Sequence, residues 1–287
     1  MDLILGSAQF GMPYGIANNF EQVKTPEIKK IIKFSVKNNI KYIDTAISYG
    51  NVETILSKID LKDFNIINKI PTYEKNYGNI ENWAKLTVNN SLEKMKLKKF
   101  DSLLIHNIEN IDNKNFKKLI LTFEEMKKNK IINKLGISVY NNNQLKKIFN
   151  IHNVDIVQLP YSIFNRSFEK NGWLEKLKKN KIEIHGRSIF LQGLLLVKAK
   201  NLPKKFLGWE KLWSKYNIWL DDHKLSALEA CIEFIKNSKY IDKVVVGVNS
   251  LNQLKEINNC FKSQKRIIEF PFFTNNKKIY DPNEWYK

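Results

Sequence analysis

The sequence predicts a single (β/α)8 barrel over all 287 residues, and three observations predict it. Short apolar runs of strand length alternate with longer, Lys-rich stretches of helical period. Eight of each occur in strict alternation, the count that a closed barrel needs. The first strand then runs into GSAQFG, which does not match the GxGxxG turn of an open dinucleotide-binding sheet. Length alone would allow two small domains, but barrels of this kind run to about 250 residues as one unit.

Taken in order, strand Leu3–Ser7 leads to a helix at Thr25–Asn38, and Lys41–Asp44 to Asn51–Lys58. Asn65–Lys69 leads to Asn79–Lys96, Asp101–His106 to Asn115–Asn129, and Lys134–Ser138 to Asn142–Asn150. Asp155–Gln158 leads to Glu169–Lys179, Ile182–Arg187 to Lys224–Asn237, and Lys243–Val246 to Asn252–Phe261. Strands such as DSLLIH and DKVVVG are apolar throughout, as expected of strands buried on both faces. The helix at Lys224–Asn237 puts Leu225, Leu228, Cys231, Ile232 and Ile235 on one stripe and Glu229, Glu233 and Lys236 opposite. Two regions fall outside the alternation. Ser188–His223 is long for a connection and holds Trp209, Trp213, Tyr216 and Trp219, so it is expected to cover the barrel mouth or to contain a short helix. The tail Ser263–Lys287 carries Phe270, Phe272, Phe273, Tyr280, Trp285 and Tyr286 and is expected to pack down. Both are candidate pocket walls, and both could equally be seals of the rim.

A hydrophobic fraction of 43% is enough for a large core. No apolar run reaches the ~20 residues that span a bilayer, and MDLILGSAQFG does not read as a signal peptide, so a cytoplasmic protein with no membrane partner is expected. Cys231 and Cys260 have neither disulfide-framework nor metal-ligand spacing; buried thiols and no metal are expected. A net charge of +19 would ordinarily raise nucleic acid as a partner. Yet of the 48 basic residues only Arg166, Arg187 and Arg266 are arginines, and the lysines are scattered. Phosphate and base recognition favours the arginine fork, so nucleic acid is not expected. The surplus charge would still attract an anionic small molecule.

Reactive groups of such barrels sit at the C-terminal ends of the strands. The second strand ends in Asp44 with Tyr49 five residues on, the third ends in Lys69, and the fourth ends in His106. Each alone has a bland explanation, but four such groups on three consecutive strands face one mouth. In their local settings they resemble the catalytic tetrad of the aldo-keto reductases. LGSAQFGMPYG, IDTAISYGNVE, LLIHN, LGISVYNNNQL and VVVGVNSLNQLKE follow in that family's order, so the resemblance covers residues 3 to about 260. It implies NAD(P)H-dependent reduction of a small-molecule aldehyde or ketone. Tyr49 would be the general acid, Lys69 would lower the tyrosine pKa, Asp44 would orient the lysine, and His106 would hydrogen-bond the substrate oxygen.

For the cofactor, the resemblance implies that Ser138 and Gln158 hold the nicotinamide amide, with Val139 standing where an Asn is usual. Arg187 falls where a Tyr often stacks on the ring; it would stack there or pair with a rim carboxylate. Gly6 and Ser7 belong to the same site, and Gly247, Asn249, Ser250, Gln253 and Glu256 resemble the adenosine-holding segment. The Lys and Arg that commonly clamp a 2′-phosphate are matched by Gly247 and Gln253, so NADPH is expected and NADH remains open. Two alternatives stand beside this: a cofactor-binding regulatory subunit on the same fold, and a lyase or isomerase using Lys69 as a Schiff base. GSAQFGMPYG, the Val after Ser138, and HGRSIFLQGLL resemble members found with bacterial surface-sugar pathways, which implies a sugar-derived carbonyl.

Overall fold

The computed structural model describes residues 1–16, 21–74, 77–109, 111–149 and 154–285. Eight parallel strands close into a barrel in sequence order. They are β1 (Asp2–Gly6), β2 (Tyr42–Asp44), β3 (Asn65–Ile70), β4 (Phe100–Ile105), β5 (Ile132–Ser138), β6 (Ile156–Pro160), β7 (Glu183–Arg187) and β8 (Lys243–Gly247). Closure is made by β1, which pairs β2 through Ile4 and Tyr42 and pairs β8 through Ile4 and Val245.

The helices are α1 (Ala8–Gly11), α2 (Thr25–Lys37), α3 (Val52–Leu56), α4 (Ile80–Met95), α5 (Asn113–Lys128), α6 (Asn142–Phe149) and α7 (Ser167–Lys170). Then come α8 (Trp173–Lys179), α9 (Glu210–Asp222), α10 (Ala227–Asn237), α11 (Leu251–Lys262), α12 (Lys277–Tyr280) and α13 (Pro282–Trp285). Several ends are set by visible chemistry. Asn79 caps α4 by accepting from Glu81 and Asn82 amides, and Lys96 closes it in the left-handed region. The expected helix over Lys224–Asn237 starts only at Ala227, because Lys224 has φ 51° and Ser226 forms a capping box with Glu229. The one expected over Glu169–Lys179 is split into α7 and α8 by Gly172 at φ 73°. The expected end of α6 at Asn150 lies outside the described residues.

Strand alternation sorts the apolar residues into two cores. Leu5, Ile43, Leu103 and Ile184 belong to the large core shared with the helices. Ile4, Ile67, Leu104 and Ile156 form a separate plug, with Tyr42 and Val245 packed on it. Below the plug, Glu183 at the start of β7 pairs with Lys134, Lys243 and His185. Above it lie Asp44, Lys69, Ser138 and Gln158, all buried. The barrel interior is therefore sealed, and its chemistry is confined to the upper rim.

The long connection after β7 contains both expected features: α9, and a segment over the mouth. Phe190 lines the cavity there, but Trp213, Tyr216 and Trp219 pack elsewhere. Trp213 and Tyr216 are fully buried, with Phe164 edge-on to both, and Trp219 packs on Phe270 and Phe272. The tail packs down as expected, with Trp285 against Phe206, while Tyr286 lies outside the described residues. Glu233 is buried, contrary to its expected place on the solvent side of α10, because the tail crosses it: its carboxylate accepts from Lys236 and from the Arg266 amide. Cys231 is buried but Cys260 is only partly so. Among the described residues no group of His, Cys, Asp and Glu could hold a metal, and no helix is long and apolar enough to cross a membrane.

Candidate active site

Asp44, at the end of β2, is the hub of the upper rim. Its Oδ1 accepts from Lys69 Nζ at 2.5 Å and its Oδ2 from Gln158 Nε2 at 2.8 Å. Lys69 donates again to the Thr45 carbonyl at 2.9 Å, and its side chain is only 2% exposed. Ser7 donates its amide and its hydroxyl to the Asp44 carbonyl, so that hydroxyl ties β1 to β2.

Tyr49 is delivered by a loop zipped onto β3. The Thr45 amide donates to the Ile67 carbonyl and the Ile47 amide to the Lys69 carbonyl, which continues the sheet pairing past the strand end. Gly50 then turns at φ 56°. Here the chain passes so close to Gly11 that a Cβ there would lie 1.9 Å from the Tyr49 carbonyl oxygen. Lys69 Nζ sits 5.3 Å from the centre of the Tyr49 ring. His106 meets that ring edge-on, with centroids 5.6 Å apart, and its Nδ1 lies 3.1 Å from Ser48 Oγ. The four expected catalytic residues therefore meet.

The electrostatics differ from the expectation in one respect. Enclosure of the phenol, reinforced by the Asp44 charge, pushes the Tyr49 pKa well above its ordinary value, while Arg187 opposes the shift. Lys69 was expected to lower it. Its ammonium is matched at contact distance by Asp44, whose own charge works on the phenol in the opposite direction. Burial pulls the Lys69 ammonium pKa down, with Asp44 resisting. His106 is pushed down to about 3 by burial and then by the charges of Lys69 and Arg187, so it is neutral across the physiological range.

Asp44, Tyr49 and His106 line a cavity of about 1090 Å³, with Lys69 buried beside Asp44. Of the residues expected to hold a cofactor, Gly6, Ser7, Ser138, Gln158, Arg187, Gly247, Asn249, Gln253 and Glu256 line it. Ser250 does not; its side chain caps α11 by accepting from the Gln253 amide. Gln158 lines the cavity with its amide nitrogen already given to Asp44, which leaves its oxygen as an acceptor. Arg187 lies with its guanidinium 4.3 Å over the Tyr140 ring and donates to the Val139 carbonyl; one face of its plane is already taken. At the far end Asn249 Oδ1 is buried without a hydrogen-bond partner, as is Gln192 Oε1 near the mouth. Unpaired buried acceptors lining so large a cavity fit a ligand rich in hydroxyl and amide donors, and a nicotinamide dinucleotide is one.

The sequence reading missed Gln9, Tyr14, Ser48 and Tyr140, which line the cavity, whereas Ser188–Val197 lies in the connection expected to cover the mouth and contributes lining residues too. Ser48 and Tyr140 flank recognised residues and could have been noticed. The conformation of the covering segment could not. It turns through Ser188, Leu191 and Gln192 at positive φ, where glycine would be the usual signal. Gln192 then reaches Tyr14 across the mouth at 3.4 Å.

Comparison with known proteins supports the fold and shows the family. An oxidoreductase of uncharacterised activity from Bacillus subtilis, YqkF, is 24% identical over 249 residues, 79% of each chain. The holo form of the aldo-keto reductase AKR11C1 from Bacillus halodurans superposes with a TM-score of 0.73 at 19% identity, covering 93% of this chain and 88% of that one. The thermostable aldo-keto reductase Tm1743, solved with the inhibitor epalrestat, gives 0.67 at 18% identity, covering 91% and 90%. The description Aldo/keto reductase family matches residues 2–271, so the chain belongs to that family of carbonyl-reducing, nicotinamide-dependent oxidoreductases.

Proposed function

We propose that this protein reduces an aldehyde or ketone, with a sugar-derived carbonyl as its substrate and Tyr49 as the general acid. The carrying observation is the meeting of Tyr49, His106 and Asp44 on the wall of a dinucleotide-sized cavity, with Lys69 paired to Asp44 behind it. A reduced nicotinamide, when bound, supplies the hydride to the carbonyl carbon. Tyr49 gives its proton to the carbonyl oxygen as negative charge builds there, and a phenol held protonated is in the right state to do so. An alkoxide is a stronger base than a phenolate, so this transfer runs downhill. Neutral His106, with its Nδ1 side engaged by Ser48, turns Nε2–H to the same oxygen. Ser138 and the oxygen of Gln158 would hold the nicotinamide amide, and Asn249, Gln253 and Glu256 the adenosine.

NADPH is the family's usual partner, but the residues at the adenosine end favour NADH. No Lys or Arg lines that end among the described residues, whereas Glu256 does. The Leu251 amide at the start of α11 is already taken by the Glu27 carboxylate at 2.8 Å. A 2′-phosphate would meet like charge there, and a free ribose hydroxyl would not. Titration followed by energy transfer from tryptophan should give tighter binding of NADH. An NADPH affinity tenfold or more above that of NADH would refute this assignment.

A Schiff base on Lys69 fits less well, because that amine is enclosed and donates to both Asp44 and Thr45. The test of the whole reading is Tyr49→Phe. Turnover should fall by roughly 10²–10⁴-fold or more, the usual share of a general acid, with cofactor binding unchanged. Turnover like the wild type would remove Tyr49 from the mechanism, and borohydride trapping of a substrate adduct on Lys69 would then decide for the imine route.

A further inference from the structure

Glu53 is a buried carboxylate that takes no part in the proton transfer. It lies on α3, only 3% exposed, and Lys94 at the surface stands 3.4 Å from its Oε2. Its Oε1 accepts from Ser91 Oγ of α4 at 2.5 Å. The serine oxygen in turn accepts from Asn68 Nδ2 at 2.9 Å, and Asn68 Oδ1 accepts from the Lys69 amide at 2.8 Å. Asn68 and Ser91 are both buried. The chain has one direction. A carboxylate only accepts, so it claims the single serine proton, and an N–H must approach the serine oxygen. That turns Asn68 with its own oxygen toward the backbone of Lys69. Asn68 faces the helices along with Ile66 and Ile70, so an ion outside the barrel wall sets an amide in the strand that carries Lys69.

The amide matters for what it releases. The Thr45 amide donates to the Ile67 carbonyl, and a regular parallel ladder would next give the Lys69 amide to the Thr45 carbonyl. Here that carbonyl receives Lys69 Nζ instead, at 2.9 Å. Asn68 takes the backbone proton and leaves the carbonyl to the ammonium. Nζ is then held by Asp44 Oδ1 and the Thr45 oxygen together, 5.3 Å from the centre of the Tyr49 ring.

We propose that Asn68, set by Ser91 and Glu53, is a positioning residue that fixes the place of the Lys69 ammonium beside Tyr49. This rests on the reductase reading and adds to it three residues that do not line the cavity.

Single-turnover reduction of an aldehyde panel that includes glyceraldehyde, by enzyme loaded with NADH or NADPH, tests it. Asn68→Ala should slow hydride transfer about tenfold, as loss of a hydrogen bond to a charged group allows. Half-saturating aldehyde and cofactor affinity should remain those of the wild type. Exchanging the polarity of the chain tests its direction. Asn68→Asp sets two carboxylates against one serine proton and should also cost about tenfold. Glu53→Gln merely ceases to enforce the direction and should cost about twofold. In the double variant the carboxylate at residue 68 takes the serine proton and the amide at residue 53 donates to the serine oxygen. Its rate should therefore exceed that of Asn68→Asp alone, where independent losses would make it slower. A crystal structure of Asn68→Ala should show the Lys69 amide on the Thr45 carbonyl and Nζ drawn away from it. A wild-type rate in Asn68→Ala, or an ammonium that has not moved there, would overturn the proposal and leave the reductase reading standing. A double variant no faster than Asn68→Asp would overturn it too, and these isosteric variants decide should Asn68→Ala not fold. If the wild type reduces no aldehyde, the reductase reading falls, and the position of Nζ in the variant structures decides the proposal alone.

Discussion

Ser48 shows how much of the chemistry depends on a residue that touches no reacting atom. A neutral imidazole has one N–H, and its usefulness depends on which nitrogen carries it. Ser48 Oγ lies 3.1 Å from His106 Nδ1, on the side away from the substrate oxygen as proposed above. If the hydroxyl donates, Nδ1 is the acceptor and Nε2 holds the proton where a carbonyl oxygen needs it. Ser48→Ala should therefore lower kcat/KM about fivefold, the worth of one hydrogen bond of about 1 kcal/mol, with cofactor affinity unchanged. Because His106 is held down at about 3, neither form should show an ionisation of it between pH 5 and 8. A limb of the wild-type profile near 6.5 that disappears in His106→Gln would show that the imidazole titrates freely and that this tautomer argument is wrong.

At the scale of elements, the placement of Tyr49 depends on two glycines in different loops. Gly11 closes α1 and Gly50 turns the loop after β2; the Asn51 amide donates to the Gly11 carbonyl at 3.3 Å. A methyl group at residue 11 would stand 1.9 Å from the Tyr49 carbonyl and 2.8 Å from the Val52 side chain, so the loop must move as a unit. Gly11→Ala should cost roughly 10²-fold in kcat, as displacements near 1 Å can, while circular dichroism and cofactor affinity remain those of the wild type. An unimpaired kcat would show that the loop has slack. The strands that carry the tetrad were legible because parallel strands are apolar and end in a polar residue, and Asp44, Lys69 and His106 fall at or next to those ends. Their observed limits differ from the expected ones by one or two residues, which is fraying and not a change of assignment. That Ser188–His223 would lie over the mouth was legible from its length, but its conformation was not. Loop conformation there depends on non-glycine residues at positive φ and on long-range contacts such as Gln192 to Tyr14, neither of which has a local sequence signature. The division of roles among aromatic residues was hidden for a similar reason: whether Trp213 lines a pocket or fills a core depends on α9, whose packing is tertiary.

For the whole molecule, the barrel carries ionisable groups at both ends, and the two ends respond differently to acid. At the upper rim His106 is disfavoured as a cation in the folded state. Between its unfolded value of about 6.5 and its folded value of about 3 the unfolded chain binds the extra proton, so stability rises with pH across that window and is lost on acidification. At the lower end Glu183 accepts from Lys134, Lys243 and His185, whose hydrogen bonds and charges hold its carboxyl well below the usual range against the opposing effect of burial. Its depressed pKa contributes stability that is fully present above the unfolded carboxylate value and lost as pH falls through the folded one. The cluster joins β5, β7 and β8 beneath the apolar plug, so it fastens the seam opposite the catalytic mouth. Glu183→Gln would leave two lysines beside each other without their carboxylate, a loss of about 3 kcal/mol for a largely enclosed pair. The thermal midpoint at pH 7 should fall by roughly 5–10 °C, and the gap from wild type should narrow steadily below about pH 4.5. Cofactor affinity should remain that of the wild type, because the plug of Ile4, Ile67, Leu104 and Ile156 separates this end from the site. A gap that persists unchanged into acid would mean that Glu183 stabilises the barrel by packing and not by its charge.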